Sequence, residues 1–175
     1  MCFSRVILVT MLLLSGQFVF GAGAASNPYT PLWLYNGSWR VTRKDLAPGA
    51  KPEELINQCA LVGKYFTCQQ TVNGTPGALL IFIPTGEPGH YYTQNIRPDG
   101  LASRRGALQI EGNIWTYSTA WDQGGTTIHY KTVNTFTGKN RIHFEQFESN
   151  NNKDWKMTNS GDEVSIAGSA RKTVR

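Results

Sequence analysis

His143 and Glu145 stand two residues apart in an alternating segment, so both side chains point to the same side of a strand. An imidazole beside a carboxylate can hydrogen-bond a polar ligand or exchange protons near neutral pH. A hairpin about Thr137-Gly138-Lys139-Asn140 pairs Phe136 with Arg141 for a loop of either two or four residues. That register gathers Tyr130, Asn134, His143 and Glu145 on one face, together with Ile128, Thr132, Phe136 and Phe147. These four polar residues form the candidate ligand-binding constellation. The opposite face mixes Val133, Ile142 and Phe144 with Lys131, His129 and Glu148. A barrel wall with a polar-lined cavity shows such a mixture, and an exposed wall shows it too. A solvated outer face is the plainer account of the four, because surface polarity needs no special explanation. Trp121, beside Asp122-Gln123-Gly124-Gly125, is expected at a barrel rim, where its ring would meet a ligand or partner.

Linear signatures of catalysis are missing. The chain has no Gly-x-Ser-x-Gly, no His-Glu-x-x-His, no phosphate-binding glycine loop and no paired-cysteine zinc spacing. No cofactor and no metal are expected, and His90 and His129 read as lone strand histidines. Constellations assembled across strands leave no linear motif, so an enzyme using His143 and Glu145 stays as the third-ranked expectation.

Two cysteines can be placed by counting. In Cys59-Ala-Leu-Val-Gly-Lys-Tyr-Phe-Thr-Cys68, a two-residue loop at Gly63-Lys64 pairs Val62 with Tyr65 and Leu61 with Phe66. Cys59 then faces Cys68 at a non-hydrogen-bonded site, where Cα atoms lie closest. A disulfide clamping the hairpin is expected, although so small a loop stabilises by only about 2–3 kcal/mol.

The elements that would carry these residues are short strands. Asn73-Gly74 joins Phe66–Val72 to the run 78–83, which is apolar on both faces and reads as a central, well-covered strand ending at Pro84. His90–Ile96 follows. Gly112-Asn113 then joins two strands in which Ile110 faces Trp115 and Leu108 faces Tyr117, with Gln109 and Thr116 on the other side. Trp155 opens a last strand. Between Lys44 and Leu55, Pro52-Glu53-Glu54 suits the start of one helical turn. Hairpin-linked strands without a long amphipathic helix predict an all-β antiparallel protein, an up-and-down barrel or a sandwich. Closure removes exposed edges, and a barrel of about eight strands has room for side chains alone or for one small ligand.

The ends of the chain read differently. Arg5, the apolar block 6–20 and Gly21-Ala22-Gly23-Ala24-Ala25 have the form of a secretion signal, with cleavage after Ala24 as first choice and after Ala25 as second. The block is too short for a stable span, so no membrane span is expected after cleavage. The predicted organisation is a signal peptide over 1–24, one barrel domain over 25–167 and a basic tail over 168–175, in a secreted or periplasmic protein. The chain is formally +5. Arg171, Lys172 and Arg175 lie in the tail and Arg5 in the signal, which leaves the body nearly neutral and argues against nucleic-acid binding.

The opening strand, Leu34-Tyr35-Asn36-Gly37-Ser38-Trp39-Arg40-Val41, resembles the Gly-x-Trp start of lipocalins and other calycin-type barrels. The stretches Glu111–Tyr117 and Ile142–Ser149, followed by Trp155, are similar to secreted bacterial lipocalin-like domains of uncharacterised function. The resemblance implies a calycin-like barrel in which Gly37 and Trp39 are structural and Trp39 plugs the closed end. It implies no reaction. The expected function is a non-enzymatic module that holds a small apolar or amphipathic molecule. The alternative is an interaction protein with a side-chain-filled barrel, recognised through its loops.

Overall fold

The computed structural model describes residues 27–166. The signal over 1–24 and the basic tail over 168–175 lie outside the described residues. The chain forms one closed antiparallel barrel of ten strands, two more than the general expectation. In order they are β1 (Gly37–Arg43), β2 (Glu53–Val62), β3 (Tyr65–Val72), β4 (Thr75–Pro84), β5 (His90–Ile96), β6 (Gly106–Glu111), β7 (Ile114–Gln123), β8 (Thr126–Thr137), β9 (Arg141–Ser149) and β10 (Lys156–Ser165). Each strand pairs with its neighbour in sequence, and β1 closes the ring by pairing with β10, with Val41 opposite Glu163. The all-β, up-and-down expectation therefore holds.

Turn chemistry sets most registers. Asn73 and Gly74 both take positive φ, as a two-residue hairpin requires, and Val72 pairs with Thr75 across them. Ile110 pairs with Trp115, and Leu108 with Tyr117. Cys59 pairs with Cys68 and is disulfide-bonded to it, with Cα atoms 4.0 Å apart.

Two local expectations fail. Glu53 and Glu54 belong to β2 rather than to a helical turn. A strand there is favoured because it supplies the second partner β1 needs, with Glu54 opposite Arg40 and Leu55 opposite Trp39. The run in β4 is covered on one side only: Phe82 is buried inside, while Ile83 on the outer face is exposed. A closed barrel has a single interior, so a strand apolar on both faces must leave one of them at the surface.

One end of the barrel is shut. A 3-10 helix, Pro31–Tyr35, lies across it, with Leu32 buried and Trp33 edge-on to Phe66. Tyr29 stacks on Phe66, and the Tyr91 hydroxyl donates to the Pro28 carbonyl. The Trp39 indole N–H donates to the Tyr35 carbonyl at 3.0 Å, and the Asn36 side chain accepts from the Cys59 N–H at 3.0 Å. Trp39, Trp115, Phe136, Phe66 and Ile142 fill the space beneath.

Candidate functional site

The other end stays open. Arg43 at the end of β1 and Glu53 at the start of β2 mark the mouth of a cavity of about 390 Å³ that runs down to Tyr35. Leu55, Leu80, Phe82 and Phe144 supply its apolar wall. Asn57, Gln70, Thr93, Tyr117, Tyr130, Thr132, Asn134, Gln146 and Glu163 supply polar groups.

The β8–β9 hairpin decides which residues face this space. Thr137 pairs with Arg141, which leaves a three-residue loop with Gly138 at positive φ. Phe136 therefore faces Ile142 rather than Arg141, a shift of one residue from the expected register. Strand side chains alternate, so a shift of one exchanges the two faces of β9 relative to β8. Tyr130 and Asn134 line the cavity, but in company with Phe144 and Gln146. His143 and Glu145 are carried outside, which corrects their expected grouping with Tyr130 and Asn134. His143 is exposed, with its Nδ1 3.3 Å from Asp162 Oδ1 across the β9–β10 pair. The observed register wins because it buries Ile142 and Phe144, each worth about 1.5–3 kcal/mol, where the alternative would bury an arginine, a histidine and a glutamate.

Gly161 helps to seat this wall. A Cβ there would meet the Thr42 carbonyl oxygen at 2.1 Å and the Phe144 ring at 2.9 Å, so only glycine lets β1, β10 and Phe144 pack this closely. Trp121 is half-buried opposite Ile128 near the Gly124-Gly125 turn and is not among the residues lining the cavity. Nor is any histidine among the described residues of that lining. His129 instead borders a shallower depression on the barrel with Tyr92, Arg105 and Trp155, and His90 lies 3.7 Å from Glu87 in the β4–β5 loop.

The polar groups deep in the cavity are incompletely satisfied. Asn134 donates through Nδ2 to the Tyr35 hydroxyl, but its Oδ1 accepts nothing. Glu163 Oε2 is likewise buried without a hydrogen-bond partner, while the buried Tyr117 hydroxyl lies against that of Tyr35. Burial raises the Glu163 carboxyl from 4.5 to about 7. Burial also raises the phenols of Tyr35 and Tyr117, and the Glu163 charge adds to both. Tyr35 thus links the cluster: it bonds Asn134, packs edge-on to Tyr117 and feels Glu163. At the mouth, Arg43 is paired with Asp45 at 3.0 Å and with Glu53 at 3.5 Å.

Sequence reasoning passed over Glu163 and Tyr117 as site residues. Tyr117 was legible as an aromatic opposite Leu108 on one surface of the sheet, with nothing to show what its hydroxyl meets. Glu163 follows Asp162 in a polar strand, and two adjacent acids read as solvated. Only closure of β1 onto β10 turns the second of them inward.

No known family's sequence profile and no curated protein matches the chain. Solved structures do match. Rv2717c from M. tuberculosis is similar at a TM-score of 0.52 and 14% identity, over 81% of this chain and 98% of that one. The S-type phycobiliprotein lyase CPES from Guillardia theta is similar at a TM-score of 0.50 and 12% identity, over 78% of this chain and 91% of that one. At these identities the likeness shows the fold. This chain shares with them the fold of a closed antiparallel barrel.

Proposed function

We propose that the protein is an exported carrier that holds one small amphipathic molecule in its barrel without transforming it. The observation that carries this reading is the cavity itself: about 390 Å³, shut at Tyr35 and open past Arg43 and Glu53. Pockets that enclose small ligands occupy roughly 300–1,000 Å³ and combine an apolar wall with a few convergent polar groups. Phe82, Phe144, Leu55 and Leu80 offer that wall, and Asn134, Tyr117 and Glu163 offer the polar groups. The filled barrel of the alternative reading leaves no such space. The Cys59–Cys68 disulfide suits an oxidising compartment and so supports export. CPES, by name a phycobiliprotein lyase, is built on a barrel of the same kind.

Native mass spectrometry of the protein purified from an oxidising compartment tests the reading. The expected result is a reproducible extra mass that disappears on denaturation. A bare protein mass from every source, with no change on incubation with small-molecule extracts, would overturn it.

A further inference from the structure

We propose that the deep end of the cavity recognises the protonated amine of its ligand, with ammonium N–H groups donating to Glu163 Oε2 and Asn134 Oδ1. This rests on the ligand-carrying reading and specifies the head group. Both oxygens line the cavity, both are buried, and neither has a donor within the protein. A buried acceptor left unmet is costly, more so when charged, so the site is complete only when something brings donors to it. With Nδ2 donating to the Tyr35 hydroxyl, Asn134 presents its Oδ1 to the cavity.

Charge selects among donor-bearing head groups. Among the described residues lining the cavity, Arg43 is the sole cation, and it is engaged by Asp45 and Glu53 at the mouth. A carboxylate ligand would therefore find no free cation and would meet Glu163. An alcohol satisfies one acceptor through one proton. An ammonium brings three donors and a charge opposite to that of Glu163, which makes its hydrogen bonds the strong, charge-assisted kind. Leu55, Leu80, Phe82 and Phe144 then take the apolar body of the molecule.

Binding of octylammonium, octan-1-ol and octanoate to the oxidised protein, measured by calorimetry, tests this directly. The three share one tail and differ in the head group. At pH 8, octylammonium is expected to bind about 10–100-fold tighter than octan-1-ol, and octanoate more weakly than either. Glu163→Gln, checked for folding by its near-ultraviolet circular dichroism, should remove most of that preference, with octan-1-ol binding changing far less than octylammonium binding. Lowering the pH to 5.5 should weaken octylammonium binding by roughly tenfold or more, as Glu163 takes up a proton, with a much smaller change for octan-1-ol. Tyr35 and Tyr117 stay neutral over that range, and Arg43 and Glu53 hold each other at the mouth. Equal binding of all three compounds, tightest binding by octanoate, or a preference that survives Glu163→Gln would each overturn the amine reading. So would failure of all three to bind. A copurified ligand in the native mass measurement would in each of those cases still uphold the carrier.

Discussion

Beneath Tyr35 the barrel is packed with Trp39, Trp115, Phe136, Phe66 and Ile142, whereas above it the same ten strands surround a hollow edged by Asn57, Asn134, Gln146 and Glu163. The backbone is continuous through both halves, so the ring of hydrogen bonds does not distinguish them. Side-chain size and polarity at the inward positions do. Aromatic rings near the closed end meet across the barrel, with Trp115 and Phe136 4.5 Å apart between centroids. Towards the mouth the inward positions carry smaller or polar groups that do not fill the interior. The packed half supplies stability, and the hollow half carries buried polar atoms that weaken the empty protein. Function is lodged where the fold is least satisfied.

The largest effect should come from breaking the packed half. Trp115→Ala removes a ring buried against Tyr35 and Phe136 and is expected to cost about 3–5 kcal/mol in urea unfolding. A loss below about 1 kcal/mol would mean that the closed end is not the stabilising half.

The hollow half should respond in the opposite sense. The Glu163 carboxyl lies at about 7 in the folded protein against 4.5 when unperturbed, so the folded state holds this proton more tightly. Its contribution is fully present below pH 4.5 and is lost as pH rises through about 7. Glu163→Gln should thus stabilise the ligand-free protein by roughly 2–3 kcal/mol at pH 8 and by little at pH 4.5. Unfolding midpoints at the two pH values check this, and a variant that destabilises at pH 8 would show that the carboxylate is satisfied after all.

The smallest effect belongs to the outside. His143→Ala removes an exposed imidazole and its contact with Asp162, for a change within about 0.5 kcal/mol and none in ligand binding. A large loss of binding would place His143 at the cavity and undo the observed β8–β9 register.

Several hairpins could be registered from residues alone, and the contrast among them is physical. At Cys59–Cys68 a two-residue glycine loop and paired thiols specify the same alignment. At Gly112-Asn113 the alternation of Leu108, Ile110, Trp115 and Tyr117 leaves one apolar face. The β8–β9 hairpin offers no such agreement, because Thr137-Gly138-Lys139-Asn140 admits an odd loop as readily as an even one. Both faces of those strands carry polar residues, so local pattern does not arbitrate. Tyr130 and Asn134 were named from the sequence and do line the cavity. His143 and Glu145 were named with them and lie on the far side of the wall.

Local chemistry thus settled the strands, most of their turns and the disulfide, because each depends on residues within one hairpin of one another. The inward set of β9 and the inward turn of Glu163 depend on contacts made only when the ring closes. Val41 meets Glu163 across the whole length of the barrel domain. Tyr35 reaches Asn134 in the same way. A lone carboxylate becomes a buried, unpaired one through its surroundings, and those surroundings come from strands far apart in the chain.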